Sequence, residues 1–123
     1  RKRRAVLIPS SSKKNAVALT DWTSAVKGAA RQNAAQIPLD GPVALVLSFL
    51  MPRPTSHLTK TGKHSSRWTA FPATRPDADK LERATLDAMT GIIYRDDGQV
   101  VRTFREKVYT DARPGCIVAV MHL

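Results

Sequence analysis

The chain has one cysteine, Cys116, and it sits inside an apolar run. A lone thiol closes no intrachain disulfide and builds no thiolate zinc centre. A reducing, cytoplasmic setting is expected. Long apolar runs are missing as well. The longest, VALVLSFLM at 43–51, has nine residues, against the ~20 a helix needs to cross a bilayer. A soluble chain with no membrane partner is expected, and RKRRAVLIP at the start lacks the long apolar region of a secretory signal. Acids are the third scarcity. Ten Asp and Glu face twenty Lys and Arg, for a formal net charge of +10. Neither residues 1–14 nor residues 52–75 contain a single acid. Such a balance points to a polyanionic partner, usually nucleic acid.

What is present is globular. Hydrophobic residues make up 42% of the 123, a composition of packed rather than disordered chains. The length fits one domain of about 100–150 residues, taken as residues 1–123.

The few acids are not spread evenly. Six of the ten, Asp77, Asp79, Glu82, Asp87, Asp96 and Asp97, lie within 77–97, with only Lys80, Arg83 and Arg95 between them. That segment carries −3 and the rest of the chain +13. A basic body holds one acidic island.

Along the chain, residues 1–14 read as a short strand and a polar turn. Residues 20–35, TDWTSAVKGAARQNAA, read as a helix. Thr20 or Asp21 would cap it, and Trp22, Ala25, Val26, Ala29 and Ala30 would face the core. IPLDGP at 37–42 breaks it. VALVLSFLM reads as a central strand buried on both faces. Residues 52–75 form a long loop with charge +5, punctuated by Pro52, Pro54 and Pro72. A loop that long is usually functional. Residues 79–90 are the clearest helix, closed by Gly91 at a natural left-handed position. GIIY reads as a short strand, RDDG as a turn, QVVRTFREKVY as a partly solvated strand and CIVAVM as a buried strand. The order of elements predicts an α+β (α/β) fold: a small mixed β-sheet packed with two main helices in a single domain.

The acids allow two readings. Asp77 and Asp79 flank a helix start, where carboxylates ordinarily cap N–H groups and meet the helix dipole. RDDG is an ordinary Asx-type turn. Against this, Asp79, Arg83 and Asp87 share one helical face, and the 96–97 turn follows only a few residues after the helix. Converging carboxylates offer hard oxygen ligands to Mg²⁺, which can activate water and stabilise a leaving oxygen at a phosphodiester. Arg83 or Lys80 would then neutralise phosphate charge. In a chain so basic elsewhere, the second reading is favoured, because clustered carboxylates repel nucleic acid unless a cation bridges them.

The stretch RPDADKLERATLDAMTGIIYRDDGQVV at 75–101 resembles the signature of RusA-type Holliday junction resolvases. MPRPTSH upstream and EKVY downstream are similar to the family's basic proline-containing segment and its lysine-containing strand. The resemblance covers about residues 40–120. It implies a homodimeric Mg²⁺-dependent endonuclease, with Mn²⁺ as a possible substitute, that hydrolyses phosphodiester bonds in four-way DNA junctions during recombination and repair. No small-molecule cofactor is implied. The metal ligands would be Asp77, Asp79 and Asp97, with Asp96 as neighbour or substitute. Arg83 stands where the family has a catalytic lysine, and Lys80 where it has asparagine. The family's proline- and asparagine-containing opening is not recognisable. A bacterial or phage-encoded protein is implied.

Among the other candidates, Lys60, Lys63 and Arg67 fit phosphate contacts. Trp68 and Phe71 fit either base stacking or anchoring of the loop to the core. Lys80 and Lys107 are further DNA contacts, Lys107 by placement near the acids or simply facing solvent. His57 and His64, in the loop with no cysteine partner, fit DNA contact or solvation rather than zinc. Ser10–Ser12 have no catalytic partner. Two rival functions remain: a non-catalytic basic nucleic-acid-binding or ribosome-associated protein, and a nuclease for other branched or single-stranded DNA.

Overall fold

A computed structural model of the chain describes residues 3–9, 19–34, 38–58, 60–61 and 70–123. Four strands and two helices organise them: β1 (Arg3–Pro9), α1 (Leu19–Asn33), β2 (Val43–Pro52), α2 (Ala78–Met89), β3 (Val100–Thr110) and β4 (Gly115–His122). The sheet order is β1-β4-β2-β3. β4 runs antiparallel to both β1 and β2, and β2 runs parallel to β3. The parallel pair requires a crossover, and α2 lies within it. The return from β3 to β4 takes only residues 111–114, across the end of β2. The predicted mixed sheet and helix pair are thus present.

VALVLSFLM forms β2 because β-branched and aromatic residues suit a pleated surface. Its burial favours one face, however, although Ala44 on the other is also buried. Val43, Leu45, Leu47, Phe49 and Met51 are buried, while Val46 between them is 41% exposed. The expectation of burial on both faces is corrected: the helices cover one face, and the other carries Val46, Ile117 and Phe104 in the open. The covered face meets Trp22, Val26 and Ala30 of α1 and Leu81, Ala88 and Met89 of α2 in one core. Trp22, expected in the core, packs its ring against Phe49 at 5.7 Å.

Two further expectations change. α1 begins at Leu19, so Thr20 and Asp21 lie inside its first turn rather than capping it. GIIY is no strand. α2 ends at Met89, Gly91 takes a positive φ of 80°, and the N–H groups of Ile92 and Ile93 both donate back to Met89 O. The chain folds over itself because Tyr94 is fully buried and Gly91 N–H donates to Tyr94 O at 2.7 Å. A short apolar run here serves a turn and not a sheet. Ser10–Ser12, Lys63, His64, Arg67 and Trp68 fall outside the described residues. No helix among the described residues is long and apolar enough to cross a membrane.

Candidate active site

The site is built around α2. Leu81, Thr85, Ala88 and Met89 bury one face of this helix. Asp79, Arg83 and Asp87 are exposed on it, spaced so that the first and last stand ~12 Å apart along the axis. Arg83 is between two carboxylates, one turn from each.

Asp77 occupies the N-cap position of α2 with extended backbone, yet its side chain makes no capping hydrogen bond. Its backbone carbonyl does accept from Leu81 N–H at 3.1 Å. An aspartate at an N-cap normally spends its carboxylate on the exposed N–H groups. This one leaves it uncommitted beside exposed Asp79.

The RDDG turn divides its labour. Asp96 caps a short 3₁₀ turn, Asp97–Gln99, by accepting from Gly98 N–H at 3.3 Å. Gln99 Oε1 accepts in return from the N–H groups of Arg95 and Asp96 at 2.8 and 3.0 Å. Gln99 Nε2 then ties the turn to Leu39 O and Gly41 O, each at 2.9 Å. Asp96 is therefore a structural residue of the turn, and Asp97 is the carboxylate it presents. The Asp97 carboxyl is held above the usual aspartate range. The first cause is its hydrogen bond with the Asp96 side chain; burial and the charges of Asp96 and Asp87 add to it, while the Gly98 N–H opposes it.

Asp97 thus feels the negative charges of Asp96 and Asp87. Among the described residues no three His, Cys, Asp or Glu side chains are gathered closely enough to hold a metal ion as they stand. The donor chemistry still suits a hard divalent cation: exposed carboxylate oxygens, one of them making no cap bond and another held above the usual aspartate range by neighbouring acids.

Tyr94 completes this end. Its hydroxyl donates to Leu86 O at 2.7 Å. Its acidity is suppressed, chiefly by burial, with the negative charges of Asp97 and Asp87 acting the same way and the Thr90 hydrogen bond opposing. Tyr94 and Gln99 were not singled out from the sequence. For Gln99 a signal existed: an aspartate followed three residues later by glutamine is the spacing of a capping box.

β3 forms the wall. Arg105 pairs with Glu82 of α2. Lys107 Nζ donates to Thr74 O at 2.6 Å and Pro76 O at 3.0 Å, immediately before Asp77. Lys80, Arg83 and Lys60 are exposed. His57 corrects expectation: it is buried, edge-on to the Tyr109 ring at 5.1 Å, with Arg53 over that ring at 4.7 Å. An imidazole packed on an aromatic inside the domain faces neither solvent nor DNA. Phe71 is 57% exposed.

Residues 4–121 match the family described as Endodeoxyribonuclease RusA. This chain belongs to the RusA endodeoxyribonuclease family. It is also similar to "Uncharacterized protein YqaN" of Bacillus subtilis (strain 168), at 30% identity over 84 residues, or 67% of this chain and 59% of that protein. The chain thus spans about three-fifths of the length of the curated relative it matches.

Proposed function

We propose that the chain is a Mg²⁺-dependent endonuclease that resolves four-way DNA junctions, acting as a homodimer in the cytoplasm of a bacterial cell. The observation that carries the site assignment is the uncommitted carboxylate of Asp77 at the head of α2, beside Asp79 and on the helix whose exposed row leads to Asp97. The family match supports the reaction class.

Asp77 and Asp79 would hold the ion, with Asp97 as a third ligand once the ion draws it in and Asp96 fixing the Asp97 turn. When bound, a divalent ion activates water and offsets charge on the leaving oxygen. The chain's own residues do the rest. Arg83 presents a permanently charged, planar fork that grips two phosphate oxygens. Lys80, one residue beyond Asp79, adds a second cation at the mouth. Lys60, with Lys63, Arg67 and Trp68 from the same basic stretch of sequence, would hold the junction arms by phosphate contact and stacking. Two subunits supply two such sites for two strands.

The deciding experiment is cleavage of a synthetic four-way junction by wild type and Asp79→Asn with and without Mg²⁺. The variant is expected to bind the junction and leave it uncut. Undiminished cutting would sink the assignment. A panel of flaps, single strands and linear duplexes in the same assay tests the junction preference. A light-scattering mass for one chain would remove the homodimer.

A further inference from the structure

Lys107 lies in register with Phe49, which is buried on the helix-covered face of β2. Paired residues of neighbouring strands share a face, so the Lys107 stem rises on the same side as α2. Its ammonium is spent on two backbone carbonyls, Thr74 O at 2.6 Å and Pro76 O at 3.0 Å. The neighbouring same-face positions of β3 hold the same stretch of chain. Arg105 pairs with Glu82, and Tyr109 N–H donates to Ala70 O at 2.9 Å. Every second residue of one strand thus anchors the segment 70–82, and Lys107 holds its middle. The next residue after Pro76 is Asp77, and Asp79 follows two later.

A charged donor makes hydrogen bonds roughly twice as strong as a neutral one. Two such bonds to carbonyls two residues apart fix the direction in which the chain enters α2. An ammonium has three donors, and here two are committed inward. This is the geometry of a support and differs from that of a lysine reaching out to DNA. Partners behind metal ligands set ligand orientation, and their loss weakens metal binding.

We propose that Lys107 is a positioning residue: it fixes the Thr74–Pro76 strap so that Asp77 and Asp79 stand ready for a divalent cation. The proposal rests on the reading of these two aspartates as cation ligands. A strap ordered in advance removes an entropic cost that the ion would otherwise have to meet.

The test uses the full chain, with Lys107→Met and Lys107→Gln set beside Asp79→Asn. Binding of Mn²⁺ alone is read from the spin-resonance signal of free Mn²⁺. Junction affinity is read in EDTA across a salt series, and cleavage is read against Mg²⁺ concentration. Lys107→Met is expected to weaken Mn²⁺ binding about tenfold and to raise the Mg²⁺ needed for half-maximal cleavage by the same factor. Junction affinity and its salt slope should stay at wild-type values, and Lys107→Arg, which keeps a charged donor, should recover part of the metal affinity. Wild-type Mn²⁺ affinity in either folded variant overturns the proposal. So does a salt slope shallower by about 0.9, which would make Lys107 a phosphate contact. If neither variant folds, Lys107 serves the fold and the proposal also falls. Asp79→Asn keeps the two ideas apart. Should it bind Mn²⁺ as wild type does, the site reading fails. Should it lose Mn²⁺ while Lys107→Met does not, only the positioning role fails.

Discussion

Trp22 of α1 donates its indole N–H to the hydroxyl of Thr85 of α2 at 2.9 Å, and both residues are buried. Thr85 in turn donates to Leu81 O at 2.7 Å. The bond locks together the two helices that cover the sheet, and α2 is the helix that carries Asp79, Arg83 and Asp87. Thr85→Val keeps the shape but leaves the indole N–H buried without a partner, which costs about 1–3 kcal/mol. Thr85→Ser should cost less, since it keeps the acceptor. Urea unfolding of the two variants measures the difference, and equal stability would show that the bond contributes nothing.

The divided roles of Asp96 and Asp97 predict opposite behaviour. Asp96→Ala removes the cap of the Asp97–Gln99 turn and should lower the melting temperature with or without Mg²⁺. Asp97→Asn removes a carboxylate that its neighbours hold above the usual range. A raised acid pKa means that ionised Asp97 opposes folding, so this variant should melt higher than wild type in EDTA. It should also lose any Mg²⁺-induced rise. Thermal scans of both variants, each with EDTA and with Mg²⁺, check this.

Cys116 is fully buried, and burial pushes its thiol up to about 12 from an ordinary 9.0. The native state therefore keeps this proton after the unfolded state has lost it. The consequence for stability is a fall as pH rises above about 9, of at most about 1.4 kcal/mol per pH unit. Tyr94 shifts the same way and adds to the loss at higher pH. Cys116→Ala should flatten the first part of the decline. In the native protein a thiol reagent at mildly alkaline pH should react with Cys116 only at the rate of opening, and rapid labelling would contradict the burial.

The basic loop makes a prediction of a different kind. If Lys60, Lys63 and Arg67 lie on phosphates, each alanine substitution should reduce the slope of log affinity against log salt by about 0.9. The effect should be independent of Mg²⁺. Trp68→Ala should weaken junction binding by about 1–3 kcal/mol with no change in that slope, if the indole stacks on a base. Fluorescence anisotropy of a labelled junction across a salt series separates the two.

Much of the architecture was legible because burial leaves a period in sequence. Leu81, Thr85, Ala88 and Met89 recur at helical spacing, and all are buried in α2. The strands at 43–52, 100–110 and 115–122 follow β-rich runs bounded by proline, glycine and aspartate. GIIY misled for the opposite reason. Four apolar residues are too short to show a period, and Gly91 turned them back onto the helix. His57 looked like a polar loop residue until the fold set it against Tyr109, a partner fifty-two positions away in sequence.

By itself the sequence determined the composition of the site: exposed carboxylates at two fixed places around one helix in a strongly basic chain. Those are local properties, set by spacing and by the cost of placing like charges together. Only the tertiary structure decided how each acid is employed. It left Asp77 without a cap bond, brought the charge of Asp87 to bear on Asp97, and put Lys107 under the strap that leads into α2. Hydrogen bonds between residues thirty or more positions apart depend on strand register and helix docking, and no local spacing encodes those.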